Sequence, residues 1–276
     1  DSAGNSNSTT TRNITIDTTN PLIDLASPYT QTGNYTQTYI EANISVTDAN
    51  FANLTIYLYN TSGLIYSNTS TSSPYSINYT GLSDGIYYLN ATTYDLAGNY
   101  NSTATQTIIL DNTAPTFTLN SPADTFNTSS TEINFNWTAT DALDSSLLCN
   151  LTIDGVVNAS DISTTSATAT NYSVSGFTEA THTWNMTCWD SLNNTNTSST
   201  RTFTIDTTGP TITLNSPANT FNTSSTTVTF NFTATDNTQT TLNCSVYVNN
   251  TLQDTNSSVN NGTATTFTIA SITEGV

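Results

Sequence analysis

TYIEANISVTD, residues 38–48, alternates without a break, with Ile40, Ala42, Ile44 and Val46 on one face and polar side chains on the other. Successive side chains of a strand leave on opposite sides, so this period of two marks a strand with one buried face. The same pattern returns twice. TEINFNWTATD (131–141) presents Ile133, Phe135, Trp137 and Ala139, and TTVTFNFTATD (226–236) presents Val228, Phe230, Phe232 and Ala234. Each copy closes on Thr-Asp.

Two further markers keep step with that strand. DTTNPLIDLASP (17–28), DNTAPTFTLNSP (111–122) and DTTGPTITLNSP (206–217) place Asp17, Asp111 and Asp206 at spacings of 94 and 95 residues. DSAGN (1–5), DLAGN (95–99) and DSLNN (190–194) each begin 16 residues before one of those aspartates. Independent markers at one period identify a tandem repeat. A late strand carries Leu89, Ala91 and Thr93, then Trp184, Met186 and Cys188; a last strand ends in Ile14 and Ile16, Ile108 and Leu110, or Phe203 and Ile205. No stretch has helical periodicity. The expected fold is all-β: tandem immunoglobulin-like antiparallel β-sandwiches in an extended row, with about seven strands in each repeat of about 95 residues. The expected boundaries are 1–19 (final strand and linker of a preceding repeat), 20–113, 114–208, and 209–276, the last incomplete. EGV (274–276) matches EAT (179–181), so the third copy stops before a counterpart of HTWNMTCW (182–189). The chain reads as three repeats cut at an arbitrary phase. Further copies, in the same chain or in neighbouring subunits, are the expected partners.

Composition removes several function classes. There are 20 acidic and 2 basic residues, a formal charge of −18, and no lysine. A phosphate backbone is bound by neutralising it with Lys and Arg, so nucleic acid is excluded as a partner, and an anionic membrane surface is disfavoured. Without lysine there is no Lys–Asn isopeptide cross-link either. No apolar run is long enough to span a bilayer. Charged residues are 8% of the chain, against roughly 25% in an ordinary domain. Thr, Ser and Asn are 134 of 276 residues, which gives an uncharged surface of hydroxyls and amides. No GxSxG, HExxH, phosphate loop or paired-Glu motif appears, and the expectation is a protein that is not an enzyme and requires no cofactor.

With DTTxP opening a repeat, Thr-Asp closing its second strand and DxAGN after the penultimate one, the chain resembles the Ig-like repeats of large archaeal and bacterial surface proteins and adhesins. DSLNN departs from the pattern by lacking the glycine. The resemblance implies an extracellular, cell-surface structural role in a filament, stalk or adhesin. An archaeal surface suits dense N-glycosylation with so little lysine. Rival readings are a carbohydrate-binding module of an exported enzyme, which calls for exposed coplanar aromatics, and a viral fibre.

Within that frame, the third and sixth strands of an Ig-like sandwich are neighbours, which points to a disulfide between Cys149 and Cys188, with two buried free thiols as the alternative. Cys244 repeats Cys149, and Thr93 leaves the first copy without a bridge. The loops after the second and sixth strands meet the incoming linker at one end of each sandwich. Asp17, Asp48 and Asp95 are therefore expected to converge, as are Asp111, Asp141 and Asp190, with Asp206 and Asp236 beginning a third set. Such carboxylates suit a structural calcium ion; the plainer reading is that they cap Asx turns. Sequons number 24, against roughly 13 by chance pairing. Asn43, Asn136 and Asn231 hold register, as do Asn90 and Asn185, and Asn7, Asn101 and Asn196; Asn127 and Asn222 complete the candidate sites for N-glycans. A merely Asn- and Thr-rich surface is the alternative. His182 reads as a surface histidine, Trp137, Trp184 and Met186 as core, Trp189 as outward, and Arg12 and Arg201 as local ion-pair partners.

Overall fold

The computed structural model describes residues 1–273, which form strands and no helix. Residues 274–276, including the EGV match, lie outside the described residues.

The first set of strands is β1 (Leu22–Leu25), β2 (Gly33–Tyr35), β3 (Tyr39–Thr47), β4 (Phe51–Asn60), β5 (Gly63–Ser70), β6 (Tyr75–Thr80), β7 (Gly85–Asp95), β8 (Tyr100–Ser102) and β9 (Gln106–Leu110). One sheet runs β1-β3-β6 and the other β2-β9-β7-β4-β5, with β8 added on β7. All these neighbours are antiparallel except β2 on β9. The alternating residues fill the space between the sheets: Ile40, Ala42 and Ile44 meet Leu54, Ile56, Leu58, Leu89, Ala91, Ile108 and Leu110 in one buried cluster. Each buried Leu or Ile contributes about 1.5–3 kcal/mol, which is what holds the register, since a one-residue slip turns the whole set to solvent.

The second set is β10 (Thr116–Ser121), β11 (Phe126–Thr128), β12 (Glu132–Thr140), β13 (Ser146–Ile153), β14 (Val156–Thr165), β15 (Thr168–Ser175), β16 (Ala180–Trp189), β17 (Thr195–Thr197) and β18 (Arg201–Ile205). Its sheets run β10-β12-β15 and β11-β18-β16-β13-β14, with β17 on β16. Phe135, fully buried, meets Phe177, Trp184 and Phe203 edge-on at 6.2, 5.1 and 5.8 Å between ring centroids. Trp137, Trp184 and Met186 are core and Trp189 is half-buried. The third set is β19 (Thr211–Ser216), β20 (Val228–Thr235), β21 (Thr241–Val248), β22 (Thr251–Asn260) and β23 (Ala264–Ile269), in sheets β19-β20-β23 and β21-β22. Here Leu214 is 80% exposed, whereas its repeat equivalent Leu119 is 8% exposed, because no strands like β16 and β18 complete this sandwich among the described residues. Residues 8–16 form no strand, and Ile14 and Ile16 face solvent.

The chain divides into two compact units: residues 1–116 with 140–148 and 188–196, and the remainder. The loops after β12 and β16 thus belong with the first sandwich, so the joints at Asp17 and Asp111 lie inside that unit and the joint at Asp206 lies inside the other.

His182 is a correction to the sequence reading. It is buried, with Phe177 at 5.1 Å and Phe203 at 5.3 Å between ring centroids. The alternation of β16 already carried the signal, since His182 is in phase with Trp184 and Met186. Its Nδ1 lies 2.7 Å from Asp154 Oδ2 and its Nε2 3.0 Å from Thr178 O. Both partners are acceptors, an arrangement that favours the imidazolium, which can donate from both nitrogens. Tyr87 fills the same repeat position and donates its hydroxyl to Ser83 O at 2.7 Å. Burial works against the His182 charge, but the bonds to Asp154 and Thr178 outweigh it and raise the pKa. Burial also works against the Asp154 charge, and the bonds from His182 and Thr183 lower its pKa on balance. The His182 contribution is therefore full below its ordinary value of about 6.5 and is lost as pH rises through the raised value. That of Asp154 is present above its ordinary value of about 3.9 and is lost as pH falls through the lowered one. The second sandwich is expected to melt highest between those limits, and His182→Gln to flatten the alkaline decline, as read by calorimetry from pH 5 to 9.

Arg201 forms no salt bridge among the described residues: its Nη1 donates to Pro122 O at 3.0 Å. The Asp124 pKa is lowered first by the bonds from Thr202, and the Arg201 charge adds only a minor contribution. Among the described residues the sole salt bridge is His182–Asp154.

Candidate metal centre

Asp111 follows β9 and Asp206 follows β18, whereas among the described residues no strand precedes Asp17. Asp17 and Asp111 each meet two loops of the following repeat, and Asp206 meets the loop after β20. The DxxxN loop is built first. Asp95 Oδ1 accepts from Asn99 N at 2.8 Å and its Oδ2 from Asn99 Nδ2 at 2.7 Å; Asp190 holds Asn194 at the same two distances. Asp1 and Asn5 repeat the arrangement at 3.0 Å each. The residue before the asparagine must take a left-handed backbone, at φ 91° for Gly98 and 65° for Asn193. Asn tolerates that region better than other side chains, so DSLNN keeps the turn without its glycine.

The second amide hydrogen of the same asparagine reaches the linker. Asn99 Nδ2 donates to Asp17 O at 3.2 Å and Asn194 Nδ2 to Asp111 O at 3.1 Å. Two residues on, Asn101 Nδ2 donates to Pro21 O at 3.0 Å and Asn196 Nδ2 to Pro115 O at 2.8 Å. This double clamp accounts for the register of Asn101 and Asn196 without reference to glycans. A sequon scan alone does not reveal it.

Two acidic groups follow. Asp17, Asp48 and Asp95 each place a carboxylate oxygen within 4.8 Å of the others, and so do Asp111, Asp141 and Asp144. Asp144, not Asp190, completes the second set. The oxygens of Asp190 are engaged by Leu192 N and Asn194, while Asp144 Oδ2 accepts from Ser191 N and Oγ at 3.1 and 3.0 Å. Asp206 and Asp236 meet no third acid among the described residues. Asx turns are present at all three joints: Asn50 N on Asp48, Leu143 N on Asp141 and Thr238 N on Asp236.

The joints differ in what compensates the linker carboxylate. Asn50 Nδ2 donates to Asp17 Oδ2 at 2.6 Å. Thr238 Oγ1 and Gln239 Nε2 donate to Asp206 Oδ2 at 2.5 and 3.2 Å. The repeat equivalents of Thr238 and Gln239 are Leu143 and Asp144, so Asp111 receives Thr113 N at 3.2 Å and, among the described residues, no side-chain amide. Burial raises the Asp111 pKa; the Thr113 amide lowers it in part, and the Asp141, Asp190 and Asp84 carboxylates raise it further. Three carboxylates with no nitrogen or sulfur donor form a hard-oxygen set suited to Ca²⁺ rather than to zinc.

The third joint has its own clamp. Glu179 accepts from Thr207 Oγ1 at 2.5 Å, Thr208 Oγ1 at 2.7 Å and Asn237 Nδ2. The Thr207, Thr208 and Asn237 bonds hold its pKa down at about 2. A depressed carboxylate contributes above its ordinary value of about 4.3 and fails as pH falls through the depressed one. The Thr207 amide resonance is therefore expected to stay native through pH 4 and to move only toward pH 2, and Glu179→Gln to remove that step.

Cys149 and Cys188 are disulfide-bonded and Cys244 is free and buried. Asn43, Asn90, Asn136, Asn185 and Asn231 are half-buried on outward strand positions, and Asn7, Asn127, Asn196 and Asn222 are exposed.

No protein-family model and no curated protein matches this chain. Solved structures do. A 1.5-MDa bacterial ice-binding adhesin is 20% identical, with 93% of this chain and 89% of that chain covered, at a TM-score of 0.34. The fibronectin(III)-like modules of Clostridium thermocellum CbhA are 19% identical over 67% and 94%, at 0.31. A marsupial T cell receptor is 8% identical over 77% and 80%, at 0.41. The Ig-like assignment rests on the sheets themselves.

Proposed function

We propose that the chain is a non-catalytic extracellular structural segment, part of a glycosylated cell-surface filament, stalk or adhesin, whose repeats are stiffened at acidic joints by calcium. The observation that carries this reading is the recurrence of one clamp at successive joints, Asn99 on the Asp17 carbonyl and Asn194 on that of Asp111. A flexible tether between independent domains needs no side chain to fix its backbone; a load-bearing or spacing element does. The disulfide suits an oxidising exterior. Asp111, Asp141 and Asp144 would hold the ion, which supplies positive charge where burial and neighbouring carboxylates disfavour ionisation of Asp111. Further repeats of the same kind and covalent N-glycans are the partners this reading implies.

Calorimetric titration of CaCl₂ into the 276-residue chain tests it. Saturable binding whose stoichiometry falls by one ion in Asp144→Asn is the expected result. Absence of binding to the wild-type chain sinks the calcium reading and leaves the Asx turns as the whole account. Peptide mapping of native material at Asn136 and Asn231 tests the glycans, and unmodified peptides there count against them.

A further inference from the structure

Twelve of the 14 tyrosines lie between residues 29 and 100, and three share one outward patch with a sequon. On β7, Tyr88, Asn90 and Thr92 occupy alternate positions of the face opposite the buried Leu89, Ala91 and Thr93. In register on β4, Tyr57 stands directly across from Asn90 and Tyr59 across from Tyr88. The Tyr57 and Tyr59 rings are 6.2 Å apart between centroids and inclined by 31°. All three tyrosines are half-buried, and Asn90-Ala91-Thr92 is a complete acceptor sequence. We infer that this patch is a platform for the first sugars of a glycan on Asn90, an inference that rests on the glycoprotein reading above.

The chemistry follows from position. Directly opposed residues have Cβ atoms about 5 Å apart, and alternate residues of one strand are about 7 Å apart. A sugar linked to Asn90 Nδ2 is thus flanked by Tyr57 and Tyr88 with Tyr59 on the diagonal. The C–H face of a pyranose packs on aromatic rings and takes apolar area from water on both partners. Glycosylation leaves one N–H on Asn90 Nδ2, which today donates to Thr105 Oγ1 at 3.1 Å. No charged side chain stands in register with Asn90. The second sandwich supplies an internal control. Asn185 repeats Asn90, with its Nδ2 on Thr200 Oγ1 at 3.3 Å, but the equivalents of Tyr57, Tyr59 and Tyr88 are Thr152, Asp154 and Thr183. A glycan there has no ring to rest on.

The test uses the full chain secreted from a host that installs N-glycans, compared with Tyr57→Thr, Tyr88→Thr and Asn90→Gln. The threonines copy residues that the second sandwich already uses, so the variants keep a fold-compatible side chain. Endoglycosidase is expected to release the Asn90 glycan at least tenfold more slowly than the Asn185 glycan, and either tyrosine variant to remove that protection. The Asn90 glycan is expected to raise the melting temperature of the first sandwich by about 4 °C, a gain absent in Tyr57→Thr. Equal release rates, or a gain that survives loss of the rings, overturn the platform and leave the glycoprotein reading intact. So does an Asn90 left bare while other sequons are occupied. No occupied sequon overturns both. Binding of a free oligosaccharide to the Asn90→Gln chain, abolished by Tyr57→Thr, assigns the patch to an external ligand and overturns the inference.

Discussion

Replacing Cys149 and Cys188 together by alanine is expected to cost the second sandwich about 4 kcal/mol, roughly 15–30 °C in its melting temperature, and to leave the first sandwich unchanged. The bridge closes a loop from 149 to 188, and for about 40 residues the chain-entropy account gives about 3.9 kcal/mol at 25 °C. Both cysteines are fully buried, so the alanines add a cavity term in the same direction. The first sandwich shows the position without a bridge: Leu54 and Thr93 are directly opposed across β4 and β7, and Thr93 Oγ1 donates to Asn53 O at 2.9 Å. Differential scanning calorimetry of the full chain with and without reductant checks the claim, with the wild type in strong reductant expected to approach the double variant. A second-sandwich transition that stays in place under both treatments overturns it.

Strand identity is legible where a long strand has one wet and one dry face, as in β3, β7, β12 and β16, so Ile40 and Ile133 declare their phase locally. The joints were legible as places, since three markers at one period converge there. Their chemistry was not, because it depends on positions where the copies disagree. Phe51, Asp144 and Gln239 stand at one repeat position, and comparing copies for what they share discards it. Asp190 does converge on the joint, where its charge raises the Asp111 pKa, but Asp144 is the third acid whose carboxylate oxygen comes within 4.8 Å of those of Asp111 and Asp141. For His182, residue type points to the surface, whereas its phase in β16 places it in the core beside Trp184. Asn101 and Asn196 lie in a motif with two possible causes, and the backbone carbonyls of Pro21 and Pro115, far off in sequence, supply the one that a sequon does not show.

The comparison of joints yields the second large effect. Leu143→Thr with Asp144→Gln gives the second joint the donors of the third, where Thr238 and Gln239 reach Asp206. In the wild type, removing calcium with excess chelator is expected to lower the transition to which the second joint contributes. At 1 mM calcium and a dissociation constant of about 10 μM, linkage gives about 2.7 kcal/mol. In the double variant the response is expected to vanish, because an amide replaces a carboxylate and the remaining pair is compensated by donors. The calcium-free variant is expected to be at least as stable as the calcium-free wild type, since one of three carboxylates held within 4.8 Å of one another is replaced by an uncharged amide. The converse change, Thr238→Leu with Gln239→Asp, removes the donors to Asp206 and sets a third acid beside Asp236, and is expected to confer calcium sensitivity on the third joint. Two outcomes defeat the account. A wild type indifferent to chelator shows that the Asx turns and the asparagine clamps suffice, and a variant that responds as strongly as the wild type shows that the ion sits elsewhere.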